Sequence, residues 1–117
     1  MISIIFFAVA VSLASNASAD TLNDAFEACK LVILENLVPA DQYSLVEFPE
    51  VSEVDWTRGD EFYFAFSSGK IAGGSRSKPD WLTGSMEPSA SCIGLLSARS
   101  FGSVTVNGKD VAFPKSF

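Results

Sequence analysis

Glu61-Phe-Tyr-Phe-Ala-Phe-Ser67 is the stretch that decides the fold, because every second residue from 62 to 66 is a phenylalanine. Successive side chains of a β-strand point to opposite faces, so the three rings share one face, and Tyr63 and Ala65 share the other. This alternation is typical of a strand with one face against a core. The chain therefore contains a sheet that buries one side, and the other elements can be placed around it.

Upstream of this strand the sequence predicts two shorter ones. Residues 43–48 and 51–56 are rich in β-forming side chains and are separated by Pro49. Arg58-Gly59-Asp60 follows them, and its glycine and aspartate are turn formers. We therefore expect the chain to reverse direction at this turn and to enter the 61–67 strand.

Further upstream, the spacing of the apolar residues predicts a helix with one buried face. Apolar residues recur every three or four positions and stop before Pro39, which ends a helix. The members of this stripe are Leu22, Phe26, Cys29, Ile33 and Leu37. Because Cys29 belongs to the stripe, it must lie where the helix packs against its neighbours.

Downstream, residues 68–91 are rich in glycine, serine and proline and predict a long loop region. A further strand over 91–98 carries Cys92. Val104 to Phe113 predicts a hairpin, because its central Asn107-Gly108 readily adopts the two positive φ angles of a type I′ turn. The expected core members of the sheet are Phe64, Ile93 or Leu95, Val106 and Val111.

One helix followed by short strands predicts an α+β fold. We expect one N-terminal amphipathic helix packed on a single antiparallel sheet of about five or six strands, with one disulfide. Residues 20–117 would form a single compact α+β domain.

Residues 1–19 have the pattern of a secretion signal. They carry no charged side chain, their apolar centre is shorter than the roughly 20 residues that cross a bilayer, and they end in Ala17-Ser18-Ala19, which resembles a signal peptidase site. The n-region lacks Lys and Arg, which departs from the usual pattern. An uncleaved anchor or a buried first element is the alternative. Cleavage would give a secreted or periplasmic protein with no stable membrane span.

Two cysteines, Cys29 and Cys92, remain after the leader. In an oxidising compartment an even pair predicts a disulfide, here one that ties the helix to the sheet. The chain-entropy model assigns such a crosslink about 4 kcal/mol. Two free buried thiols are the alternative.

The charge distribution excludes one class of partner. The net charge is −6, and most of the acidic residues lie between residues 20 and 61, where only Lys30 and Arg58 oppose them. An acidic domain without a basic face is a poor partner for nucleic acid. A cationic partner for the acidic half is one interpretation, and a solvated acidic surface is the other.

Catalytic motifs are weak. Ser67-Ser-Gly-Lys70 and Ser75-Arg-Ser-Lys78 match the S-x-x-K spacing of serine acyl enzymes, but neither lies at the start of a helix. The chain has no histidine, which excludes Ser–His and His-ligand metal mechanisms. We expect no catalytic residue, no metal site and no cofactor.

The remaining candidates for binding lie in the 68–91 loop region. Trp81 is an aromatic side chain on a loop, as interface anchors often are, and Arg76 and Lys78 are its cationic neighbours in sequence. The sequence thus favours a small exported soluble domain, monomeric and non-enzymatic, that binds a partner such as a protein. The alternatives are a small hydrolase using carboxylates or a Ser–Lys pair, and a subunit of an envelope or secreted assembly.

Overall fold

A computed structural model describes residues 2–73 and 87–117, and their side chains from residue 19 onward. Helix α1 (Ile2–Leu37) ends just before Pro39, as the sequence predicts. Its last turn is closed by a hydrogen bond from Val38 N to Leu34 O of 3.1 Å. Of the predicted stripe, Phe26, Cys29 and Ile33 are buried, while Leu22 and Leu37 pack against the core and stay partly exposed. Ala25 and Val32, which were not predicted, are buried beside them.

Six strands follow α1 in the described residues, in two antiparallel sheets. They are β1 (Val46–Glu47), β2 (Glu61–Phe66), β3 (Ala72–Gly73), β4 (Ala90–Leu95), β5 (Ser100–Val106) and β6 (Lys109–Asp110). The main sheet has the order β2-β4-β5-β6, and β1 pairs with β3. The predicted α+β class and antiparallel pairing are confirmed. The strands divide between a four-stranded and a two-stranded sheet rather than forming one.

The two predicted upstream strands are largely wrong. Ala40–Leu45 and Val51–Glu53 are 3₁₀ helices. The second is fixed locally by Glu50, whose backbone N–H donates to the Glu53 carboxylate at 3.0 Å. This reciprocal capping box satisfies backbone groups within the turn, and a turn closed in this way has no need of a strand partner.

Residues 54–58 nevertheless run beside β2. Trp56 N donates to Tyr63 O at 2.8 Å, and Ala65 N donates to Val54 O at 3.0 Å. The chain reverses at Gly59 and Asp60, where Gly59 alone has a positive φ, of 56°. This is the type II′ pattern, which favours glycine at the first central position.

Both predicted turns are confirmed. Asn107 and Gly108 have φ of 53° and 79°, as a type I′ turn requires. The Asp60 carboxylate accepts hydrogen bonds from Ser97 N at 2.9 Å and from Ser97 Oγ at 2.6 Å. Asp60 therefore ties its own turn to the β4–β5 connection.

The core lies between α1 and one face of the main sheet. Phe62, Phe64 and Phe66 are buried there, as their alternation predicts. The Phe26 ring of α1 lies 5.2 Å from the Phe64 ring in an edge-on arrangement and 6.1 Å from the Phe66 ring. Such aromatic pairs add about 0.5–1.5 kcal/mol each beyond their buried area.

The disulfide Cys29–Cys92 is present, with 6.1 Å between the two Cα atoms and both residues fully buried. It joins α1 to β4 and holds Cys92 on the inner face of the sheet. Because side chains alternate along a strand, Ile93 and Leu95 must then point outward. Leu95 is 45% exposed, so its prediction as a core residue is wrong, and Ile93 is only partly buried.

The inner positions of β4 are instead small: Ala90, Cys92 and Gly94. Large side chains from β2 and α1 fill the space above them. Of the other predicted core members, Phe64 and Val106 are buried, and Val111 packs against the core while partly exposed.

Candidate functional site

The outer face of the main sheet carries the large side chains that the core does not use. Tyr63 of β2 is 37% exposed and lies opposite Ile93 of β4 in the pairing register. Trp56, on the segment that runs beside β2, is 70% exposed. An indole that is mostly in solvent gains little from folding, so an exposed Trp beside an exposed Tyr indicates a surface for a partner.

Trp56 and Tyr63 line a groove of about 710 Å³ along the outer face of β2. Its full lining is Glu53, Trp56, Arg58, Glu61, Tyr63, Ala65, Ser67 and Lys70. Hereafter this set is called the aromatic groove. In the part of the chain that the structure describes, this groove is open to solvent.

Strand periodicity positions these side chains. Glu61, Tyr63 and Ala65 are alternate residues of β2 and therefore share its outer face. The 54–58 segment pairs with β2 through the Trp56 N to Tyr63 O hydrogen bond, which places the indole across from the phenol. Ala65 is the smallest side chain on this face and leaves the floor of the groove open.

Charges of both signs border the two rings. Glu53 and Glu61 supply carboxylates, and Arg58 and Lys70 supply cations. In the described residues none of the four belongs to an ion pair, because the ion pairs there are Glu27–Lys30 and Asp24–Arg99. Within the described residues, the groove therefore offers four charged side chains that are not in ion pairs, of which Glu53 accepts the capping hydrogen bond from Glu50 N.

The Ser–Lys alternative can be examined at Ser67 and Lys70, which border the same groove. What joins the two residues is a backbone turn, with Lys70 N donating to Ser67 O at 3.0 Å. Among the described contacts there is no hydrogen bond between the serine hydroxyl and the lysine ammonium. That contact is the one through which a lysine would activate the serine. The second motif, at Ser75 and Lys78, lies outside the described residues.

Trp81, Arg76 and Lys78 also lie outside the described residues, and their role in binding stays a prediction. No group of three or more His, Cys, Asp or Glu side chains is placed to hold a metal ion within the described part of the chain. The aromatic groove is not among the sequence-based predictions, which place binding in the 68–91 loop region. The signal was present in Tyr63, which is the large residue on the face opposite the phenylalanines.

A second, apolar groove of about 540 Å³ lies between α1 and the C-terminal segment. Leu31 is 49% exposed and Phe113 is 38% exposed along it. The segment is held by Arg99, whose Nε donates to Phe117 O at 2.9 Å and whose Nη2 donates to the Asp24 carboxylate at 3.0 Å.

Comparison of the chain with protein families, with characterised proteins and with solved structures finds no match. Among the described residues, no helix has the length and apolar content needed to span a membrane. The fold and the groove together define a disulfide-linked α+β domain that presents an aromatic groove on the open face of its sheet.

Proposed function

We propose that this protein is an exported, non-enzymatic module that binds a protein partner through the aromatic groove. The observation that carries the proposal is the pair of exposed rings, Trp56 and Tyr63, which line one groove on the open face of the sheet. Trp and Tyr are enriched among the residues that dominate the energy of protein interfaces.

The rings are suited to this role by their rigidity. Each has only two side-chain torsions, so it loses little conformational entropy when a partner covers it. The backbone beneath them is fixed by the Trp56 N to Tyr63 O hydrogen bond and by the pairing of β2 with β4. A preorganised surface of this kind lowers the cost of association.

Export is the other half of the proposal. The leader pattern over 1–19 predicts cleavage after Ala19 and a secreted or periplasmic location. The buried Cys29–Cys92 disulfide supports it, because such bonds form and persist in oxidising compartments. Intact-mass measurement on protein from its native host tests this directly. Material that retains Met1 to Ala19 or carries two alkylatable thiols would contradict it.

Affinity capture tests whether the protein binds its partner through the aromatic groove. The oxidised protein, expressed with its leader, serves as bait beside Trp56→Ala and Tyr63→Ala, with Lys109→Ala as a matched control that shortens an exposed side chain on β6, away from both grooves. We expect Trp56→Ala to weaken capture of the same partner by about tenfold or more, as interface anchors do. Wild-type capture by both groove variants would refute the groove.

The loop prediction is tested in the same experiment by Trp81→Ala. Loss of capture in this variant alone would move the binding surface to the 68–91 loop region. Loss in Trp56→Ala alone assigns binding to the aromatic groove.

A subunit role in a secreted or envelope assembly is the second candidate, and the groove between α1 and the C-terminal segment favours it. Leu31 and Phe113 are exposed there with few charges nearby. If this surface is buried in an assembly, Leu31→Glu releases the protein as a free domain in size-exclusion chromatography of native extracts. An unchanged elution profile for Leu31→Glu would count against it.

A further inference from the structure

We infer that the partner segment bound by the aromatic groove is cationic, a polypeptide stretch whose Lys or Arg side chain stacks on Trp56. This inference rests on the proposed function and specifies the chemistry of its partner. Two observations carry it: an exposed indole with a free ring face, and the sign of the charge around it.

The first observation is the indole. Trp is the best aromatic acceptor of a cation, because its π-face carries negative electrostatic potential. With 70% of its surface exposed, Trp56 has a face that a partner side chain can cover. The same protein uses this interaction internally, since the Lys30 ammonium lies 5.0 Å from the centre of the Phe26 ring.

The second observation is the charge on the chain that carries Trp56. From Glu50 to Glu61 this chain bears five carboxylates against one guanidinium, that of Arg58. The five are Glu50, Glu53, Asp55, Asp60 and Glu61. Lys70 is the other cation that borders the groove, and the whole chain has a net charge of −6.

The indole and the carboxylates around it disfavour an anionic partner segment. An anionic side chain placed on the indole would meet the negative face of the ring and the carboxylates of Glu53 and Glu61, which line the same groove. A cation meets attraction from both, which Arg58 and Lys70 on the same lining only partly oppose, because the segment from Glu50 to Glu61 carries an excess of carboxylates. Long-range attraction to an acidic surface also speeds the approach of a basic partner and weakens as salt is added.

The test uses synthetic Gly/Ser peptides of equal length that carry several Lys, Arg, Glu or Gln residues, and a neutral oligosaccharide as a further probe. Trp56 fluorescence is followed in a Trp81→Phe background, so that one indole reports. We expect the Lys and Arg peptides to bind at least about tenfold more tightly than the Glu peptide at low salt, and to weaken as salt is raised.

Charge variants sharpen the result. Glu53→Gln and Glu61→Gln should each weaken the Lys peptide by about threefold, as exposed charge pairs do. Arg58→Gln removes a competing cation and should strengthen it by about twofold. Asp110→Asn, on the exposed strand β6 away from the groove, is the matched control and should change nothing.

Each contrary outcome is decisive. Equal or tighter binding of the Glu peptide, preference for the oligosaccharide, absence of binding by both cationic peptides, or weaker binding in Arg58→Gln would overturn the cationic partner. The proposed function fails separately, when Trp56→Ala leaves capture of the native partner unchanged.

Discussion

The inner and outer faces of the main sheet are built from alternate residues of the same strands, yet they do different things. On β2, Phe62, Phe64 and Phe66 are buried under α1, while Tyr63 between them is 37% exposed. On β4, Cys92 is fully buried and Leu95 is 45% exposed. The inner face holds the fold together, and the outer face is left to present the aromatic groove.

Neighbouring residues of one strand can therefore be altered with different consequences. Substitutions on the inner face should act on the free energy of unfolding, and those on the outer face should act on binding.

Phe64→Ala should have the largest effect. Phe64 is fully buried, and its ring lies 5.2 Å from that of Phe26 and 5.4 Å from that of Phe62. Loss of the ring leaves a cavity, so we expect the free energy of unfolding to fall by about 4 kcal/mol. Urea unfolding followed by circular dichroism measures it. Tyr63→Ala is the matched control on the outer face. A comparable loss in that variant would contradict the claim that the inner face alone carries the stability.

The double substitution Cys29→Ala/Cys92→Ala should have the second largest effect on stability. It removes the crosslink between α1 and β4, and we expect a loss of about 3 kcal/mol because the unfolded chain regains freedom. Equilibrium unfolding against the oxidised wild-type protein gives the value. A difference below about 0.5 kcal/mol would mean that helix packing alone fixes the orientation of β4.

Gly94→Ala tests the packing of the inner face at the point where the backbone of β4 lies against the Phe62 ring. A Cβ at this position would overlap the Ser100 carbonyl oxygen and the Phe62 ring, next to the bulge between Ile93 and Gly94. We expect a loss of about 2 kcal/mol from overpacking. Gly102→Ala is the matched control, since its Cβ would meet only Ile93 O at an ordinary 3.7 Å. Equal thermal unfolding of both variants would contradict this.

Leu95→Ser should have the smallest effect. The side chain is on the outer face and largely in solvent, so the free energy of unfolding should stay within about 0.5 kcal/mol of wild type. The measurement is the same urea titration. A larger loss would show that the outer face carries part of the fold's stability.

Much of the fold was predictable because periodicity is local. The helix stripe through Cys29, its end before Pro39, the β2 alternation and the Asn107-Gly108 turn each follow from a few neighbouring residues. The error at Leu95 was avoidable. Once the disulfide with the helix places Cys92 on the inner face, the alternation of side chains along a strand places Leu95 on the outer face.

The upstream region was less predictable. The Glu50–Glu53 capping box turns residues 51–53 into a 3₁₀ helix despite their β-forming composition. Composition alone does not show whether such a segment forms a local hydrogen-bonded turn or a strand that pairs with a distant part of the chain. The aromatic groove was not predicted for a different reason: the exposure of Trp56 depends on whether another part of the chain packs against its ring, and the sequence does not show this.

The sequence by itself determined the helix, the turns and which side chains share a face of β2, since these depend on neighbours along the chain. The tertiary structure alone decided that the strands divide into two sheets. It alone left Trp56 in solvent. These outcomes depend on hydrogen bonds and packing between residues that the sequence keeps apart, and local propensity carries no information about them.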